Sequence, residues 1–72
     1  MEDLIEVSTF RRNTKASTWH KVSEEHREGS WRWIIEANGF FRALGARETT
    51  RGKTHTSISP SGLEKIVYRL IA

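Results

Sequence analysis

The C-terminal segment carries the pattern that most constrains how this chain folds. Its apolar residues recur at the i, i+3, i+4, i+7 and i+8 spacing of one helix face, at Leu63, Ile66, Val67, Leu70 and Ile71. Ser59 is a suitable N-cap, and Pro60 suits the first helical position because its missing N–H costs no hydrogen bond there. The pattern predicts a C-terminal amphipathic helix whose apolar stripe must be covered by another element.

A second pattern is the Asn38-Gly39 pair, which separates two β-prone runs at residues 31–37 and 40–44. Asn-Gly favours a two-residue hairpin turn, whose central residues both need positive φ, so the pattern predicts an antiparallel hairpin. An alternative stays open, in which residues 24–37 form a helix and Asn38-Gly39 is its C-cap. Gly29 and the aromatic and β-branched run after it favour the hairpin over that helix.

A further hairpin turn is predicted at residues 50–53, which include Gly52. A three-residue loop places Ile58, Thr56 and Thr54 on the core face, whereas a two-residue loop places Ile58 on the charged face. We therefore expect the three-residue loop, since a slip of one residue exchanges the two faces of a strand.

The first third of the chain has weaker signals. Residues 4–10 alternate as a strand does, with Ile5, Val7 and Thr9 on one side. Residues 16–22 are expected to form a short strand that carries Trp19. Residues 24–30 are polar and are expected to form a loop.

Together these elements predict an α+β fold, in which a small antiparallel sheet of three or four strands packs under one C-terminal amphipathic helix. The expected core consists of Trp31, Trp33, Leu44, Ile58, Leu63, Ile66, Val67 and Leu70. A chain of 72 residues has the length of one domain, so residues 1–72 are expected to form a single domain. Its thin core predicts a free energy of unfolding of roughly 3–5 kcal/mol.

Composition narrows the class of protein. The chain has no cysteine, which excludes a disulfide framework and a thiolate metal site. It has no apolar run near the length of a membrane span, and its acidic N-terminus lacks the apolar region of a signal peptide. These features predict a cytoplasmic protein.

The formal charge of +3 is unevenly distributed. Residues 1–36 have six Lys/Arg and seven Asp/Glu, a net charge of −1, whereas residues 37–72 have six Lys/Arg and two Asp/Glu, a net charge of +4. A basic segment with few acids is typical of a chain that binds a polyanion, because clustered cations release counterions from phosphates.

Most of these cations lie around the hairpin predicted at residues 50–53. Basic side chains and a hydroxyl there suit phosphate oxygens, and Arg32 with Phe41 is expected on the outer sheet face. The predicted nucleic-acid-binding residues are Arg32, Arg42, Arg47, Arg51, Lys53 and Thr54. The alternative interpretation is that these charges protect an exposed edge strand from pairing with other chains.

No motif in the sequence predicts catalysis. His20, His26 and His55 have no metal-ligand spacing and are expected to be ordinary strand or surface residues. The serines and threonines lie in no nucleophile-elbow motif, and the five glycines are spread singly rather than in a phosphate-binding loop. We expect a protein that is not an enzyme and that uses no cofactor or metal.

Three loose resemblances to known families involve mainly residues 31–71. Residues 31–33 (Trp-Arg-Trp) followed by residues 37–39 (Ala-Asn-Gly) resemble the YegP-like small domains, which implies a sheet-plus-helix module that pairs as repeats or dimers. Residues 39–42, 51–53 and 57–63 are similar to the wing and following helix of winged-helix regulators, which implies that Arg51 and Lys53 reach DNA phosphates. In that resemblance residues 24–37 are the recognition helix. Residues 53–66 resemble the strand-into-helix end of the single-stranded-DNA-binding transcriptional coactivators, which dimerise.

The sequence therefore predicts a small DNA-binding or accessory regulatory protein, with a function in transcription regulation, that contacts phosphates through a basic β-hairpin. Its open sheet edges predict a homodimer. The alternative is a non-catalytic protein-interaction module that uses an exposed edge strand or aromatic face. Neither a small-molecule substrate nor a membrane is an expected partner.

Overall fold

The computed structural model describes residues 2–71 and shows one antiparallel sheet of five strands with a single short helix. The strands lie in the order β2-β1-β5-β4-β3. In chain order the elements are β1 (Asp3–Arg11), β2 (His20–Gly29), α1 (Trp31–Asn38), β3 (Arg47–Arg51), β4 (Thr54–Ile58) and β5 (Glu64–Leu70). The predicted α+β fold with a C-terminal helix is therefore wrong: the protein is mostly β, and its helix lies in the middle of the chain.

The C-terminal segment is a strand because it lies between two others. β5 pairs with β1 on one side and with β4 on the other, so both of its hydrogen-bonding edges are occupied. As a strand it turns Ile66 and Tyr68 toward the core and leaves Val67 half-buried on the opposite face, so the adjacent pair Ile66-Val67 is compatible with a strand as well as with a helical stripe. Residues 59–62, predicted to begin a helix, form a turn in which Gly62 N–H donates to Ser59 O (2.9 Å) and Gly62 has a φ of +77°.

Residues 31–38 form α1, so the hairpin predicted at Asn38-Gly39 is wrong. Ile34 and Ile35 are buried against the sheet, and the side-chain amide of Asn38 donates to Ile34 O at 2.8 Å. One apolar stripe suffices to hold a short helix on a sheet, and here it outweighs the β propensity of the individual residues. The alternative helix at residues 24–37 is correct only in its second half, since residues 24–29 belong to β2. Gly39 caps α1 with an extended φ of −106°, not the left-handed conformation.

The strand predicted at residues 4–10 is confirmed as β1, with Ile5 and Val7 buried. The turn predicted at residues 50–53 is also confirmed, but its predicted register is wrong. Arg51 pairs with Thr54 and Arg47 pairs with Ile58, which leaves a two-residue loop at residues 52–53. Ile58 therefore lies on the face opposite the one that His55 and Ser57 share. Residues 24–29, predicted to form a loop, extend β2 along β1.

The core lies between α1 and one sheet face and consists of Ile5, Val7, Ile34, Ile35, Ile66 and Tyr68. Of the predicted core residues only Ile66 is buried, while Trp31 and Leu70 pack at the border of the core. The prediction of Trp33 and Leu44 as core residues is wrong, since they are 64% and 98% exposed. Ile58, Leu63 and Val67 are half-buried outside this cluster. No helix within residues 2–71 is long and apolar enough to cross a membrane.

Candidate nucleic-acid interface

The two faces of the sheet differ in what covers them. One face contributes Ile5, Val7, Ile66 and Tyr68 to the core beneath α1. The other, called the open face, presents the alternate residues of each strand, and among residues 2–71 no helix covers it. An accessible sheet face with this shape is a surface on which an extended ligand can lie.

A row of side chains crosses the open face through all five strands at one end of the sheet. Directly paired residues share a face, and the strand pairings place these residues side by side in the order Lys21, Phe10, Lys65, Ile58 and Arg47. We call this set the basic row. Its cations alternate with apolar residues, and neighbouring cations lie two strands apart, which is about 10 Å.

The loop between β1 and β2 adds to the basic row. The Arg12 guanidinium lies 4.0 Å from the centre of the Trp19 ring, and Lys65 Nζ lies 4.7 Å from Trp19 and 4.8 Å from Phe10. These cation–π contacts restrict Arg12 and Lys65 without neutralising them. Arg12 Nε also donates to Gly62 O at 2.8 Å, which holds the guanidinium in place.

Three of the cations at this end of the sheet lack acidic partners, whereas Lys21 is ion-paired with Glu24. Within residues 2–71, none of the ion pairs includes Arg12, Lys65 or Arg47. Burial, and then the positive charge of Arg12, lower the pKa of Lys65. Like charges held together favour a bound anion, because the anion relieves their repulsion and supplies hydrogen-bond acceptors.

The rest of the open face is neutral or internally paired except for Arg51, which belongs to no ion pair among residues 2–71. The next row contains Glu24, which pairs with Lys21, followed by Ser8, Val67, Thr56 and Thr49. In the row beyond it, Glu6 Oε2 lies 3.1 Å from Arg69 and 3.8 Å from His26. Three cations without ion-pair partners, Arg12, Lys65 and Arg47, thus lie at the basic-row end, and Arg51 is the corresponding cation at the other end.

The predicted site residues divide between the two sides of the sheet. Arg47 lies in the basic row, while Arg51 and Thr54 are paired with each other on the open face, about 13 Å further along the strand. Lys53 lies in the β3–β4 turn. Arg32 lies on α1 and Arg42 follows it, so the structure does not bring these two to the open face.

Sequence reasoning missed five residues of the interface: Phe10, Arg12, Trp19, Lys21 and Lys65. The alternation of residues 4–10 is the available signal for Phe10, because it places Phe10 on the side opposite Ile5 and Val7. Lys65 had no such signal, because a helical interpretation of residues 60–71 removes it from the sheet.

A polar network lies on the other face, beneath α1. His55 Nε2 is 2.9 Å from Glu48 Oε1, and His55 Nδ1 is 2.7 Å from Thr50 Oγ1. A carboxylate only accepts, so Nε2 carries a proton and donates to Glu48; in the neutral imidazole Nδ1 then accepts from the Thr50 hydroxyl. The second Glu48 oxygen accepts from Ser57 Oγ at 2.7 Å, and Ser57 Oγ accepts from Phe40 N–H at 3.0 Å.

This network joins β3, β4 and the segment after α1. Glu48 and Ser57 are cross-strand partners, as are Thr50 and His55. The order hydroxyl, imidazole and carboxylate is also that of a nucleophilic triad. The side chains of Glu48, Thr50, His55 and Ser57 hydrogen-bond to one another across β3 and β4, and Ser57 also holds the Phe40 N–H after the helix. We therefore interpret the network as a structural connection.

Comparison with protein-family models, with curated proteins and with solved structures finds no match to this chain.

Proposed function

We propose that this chain is a non-enzymatic nucleic-acid-binding domain that acts as a DNA-binding or accessory regulatory protein in the cytoplasm. The observation that carries the proposal is the basic row, in which Lys65 and Arg47, with Arg12 beside them, form no ion pair among residues 2–71 and lie on a sheet face that no helix covers. Such an arrangement favours binding of the phosphates of a nucleic-acid strand, because the cations release counterions from them. The hydroxyls of Thr49 and Thr56 beside the row are suitable donors to further phosphate or sugar oxygens.

A single strand fits this surface better than a duplex. Sheet faces that bind single strands combine a line of cations with aromatic rings on which bases stack. Here Phe10 and Trp19 stand among the cations of the row and its loop. A duplex groove is usually read by a helix or a two-stranded ribbon, whereas α1 lies on the opposite side of the sheet.

The test is a salt titration of binding to a fluorescent single-stranded oligonucleotide and to its duplex. Contacts from Lys21, Lys65, Arg47 and Arg12 predict a slope of log K against log salt of about −2.8, at about 0.7 per single-strand phosphate. Affinity is then expected to fall about 50-fold between 50 and 200 mM salt. Absence of binding to either form at 50 mM salt would refute the proposal.

Two variants locate the interface. Lys65→Ala is expected to reduce the slope by about 0.7, since one phosphate contact is lost. Arg32→Ala removes the same charge from the helix side and is expected to leave affinity and slope unchanged. Equal losses in the two variants would show that net charge, rather than the open face, determines binding.

The second candidate is a protein-interaction module, with homodimerisation as one form of it. The observation that favours it is the exposure of Trp33 and Leu44 on the helix side. The edge strand β2 is a poor site for strand addition, because charged side chains occupy most of residues 20–28. Sedimentation of the protein and of the Trp33→Ser variant tests this candidate: a dimer that the substitution dissociates supports it, and a monomer up to millimolar concentration argues against it.

A further inference from the structure

A small groove opens beside the basic row, between the β1–β2 loop and the β4–β5 turn. Three cationic side chains, Arg12, Lys15 and Arg47, line it, and no acidic residue among residues 2–71 does. Ser59, Pro60 and Gly62 form the opposite wall. The groove has a volume of about 180 Å³, which is below the roughly 300–1,000 Å³ of sites that enclose a whole small molecule. Its size and charge suit one anionic group.

The wall of the groove is held rigidly by hydrogen bonds. Ser59 N–H donates to Glu64 O at 2.9 Å, and Glu64 N–H donates to Ser59 Oγ at 3.2 Å. Arg12 is bound to the same turn twice, through its N–H to Leu63 O (3.1 Å) and through Nε to Gly62 O (2.8 Å). A ligand therefore meets an arranged site, so little ordering entropy opposes binding.

Gly62 brings the third cation into place. Its φ of +77° suits glycine, and a Cβ atom there would lie 3.1 Å from Lys15 Cε. The lysine side chain thus lies across the glycine, where a larger residue would displace it. The same turn that holds the Arg12 guanidinium also positions Lys15.

We infer that this groove binds the terminal phosphate of a nucleic-acid strand whose backbone lies along the basic row; the inference rests on the proposed function. A terminal phosphomonoester carries about −1.5 to −2 charges, whereas each internal phosphodiester carries one. Convergence of three cations on one groove matches the more highly charged group. Arg47 belongs to both the groove and the row, so a strand on the row runs directly to the groove.

The test compares oligonucleotides of one sequence that carry a 5′-phosphate, a 3′-phosphate or hydroxyls at both ends. Fluorescence anisotropy at 50 mM salt is expected to show about tenfold tighter binding of one phosphorylated form than of the hydroxyl form. The form that gains affinity gives the direction of the strand. Equal affinity for all three overturns the inference while the proposed function stands, whereas no binding of any form overturns the proposed function itself.

Two charge-matched variants assign the preference to the groove. Lys15→Glu is expected to reduce the ratio of phosphorylated to hydroxyl affinities to about one, because it places an acid beside the phosphate. Lys53→Glu makes the same change of charge in the β3–β4 turn and is expected to leave that ratio unchanged. A ratio that falls equally in both variants, or that persists in Lys15→Glu, overturns the assignment to the groove.

Discussion

Gly39 lies close to the sheet directly after α1, and it provides a sharp test of the packing. A Cβ atom at Gly39 would lie 2.6 Å from the Tyr68 hydroxyl and 3.0 Å from Ser57 Oγ. The φ of Gly39 is −106°, so alanine adopts the backbone without strain and the effect of Gly39→Ala is purely steric.

Neither neighbour is free to move away from the added methyl group. Tyr68 is fully buried, and Ser57 Oγ is held by Glu48 Oε2 and Phe40 N–H. Overpacking of this kind costs about 1–3 kcal/mol. In a domain of this size about 2 kcal/mol lowers the melting temperature by about 8–16 °C. Urea unfolding followed by tryptophan fluorescence measures the loss directly.

A double-mutant cycle identifies the clash. Tyr68→Phe removes the atom that the new methyl group meets first, so the cost of Gly39→Ala should fall by at least 1 kcal/mol in that background. The remaining cost comes from Ser57 Oγ. Tyr68→Phe alone is expected to be stabilising by up to about 1 kcal/mol, because the buried hydroxyl has no hydrogen-bond partner among residues 2–71.

Gly52→Ala is the matched control. Gly52 has a φ of +56° and no atom within 4 Å of its added Cβ, so its cost of about 1 kcal/mol comes from the backbone. That cost should be the same with Tyr68 or with phenylalanine. The reasoning is refuted if Gly39→Ala costs less than 0.5 kcal/mol, or if its cost adds to that of Tyr68→Phe within about 0.5 kcal/mol.

Three further outcomes are expected. Burial, and then the charge of Glu48, raise the pKa of Tyr68 above its usual 10.0. Above pH 10 the unfolded state therefore loses this proton first, and the free energy of unfolding falls by up to about 1.4 kcal/mol per pH unit. Urea titrations should show a shallower fall for Tyr68→Phe. Glu48→Ala leaves His55 and Ser57 without their acceptor and should lower the free energy of unfolding by about 2 kcal/mol in urea, whereas equal stability would contradict the network. Ile34→Ala should cost about 2–4 kcal/mol by thermal melting, and Leu44→Ala, at a residue 98% exposed, should change the melting temperature little.

The parts of the fold that the sequence predicts correctly have local causes. β1 is recognisable because Ile5 and Val7 alternate with polar residues, and a half-buried strand requires that period. The β3–β4 turn is recognisable because Gly52 lies between two β-prone, polar runs. In both cases the residues that carry the signal lie within ten positions of one another, and no distant partner is needed to interpret them.

The C-terminal segment fails for the opposite reason. Ile66, Val67 and Leu70 satisfy a helical stripe and a two-sided central strand equally well, since an adjacent apolar pair belongs to both patterns. The deciding factor is the presence of β1 and β4 on either side of β5, whose paired residues lie 53–65 and 7–15 positions away in sequence. Residues 31–38 fail in the opposite direction. Their aromatic and β-branched composition is typical of a strand, but they form a helix that buries one stripe, Ile34 and Ile35, against the sheet.

The helix wrongly predicted for residues 60–71 and the wrong register of β4 explain why only part of the candidate interface is predicted from the sequence. The hairpin alone predicts Arg47, Arg51 and Thr54 as candidate residues, but the three-residue loop expected there wrongly turns Thr54 and Ile58 toward the core face. Lys65 can be assigned to the basic row only if residues 64–70 form a strand, because its pairing with Phe10 and Ile58 then places it in line with the other cations. Charge composition located the basic half of the chain, whereas the pairing of strands decides which of its cations act together. The candidate surface across five strands therefore depends on register, and a slip of one residue in β4 or β5 would remove it.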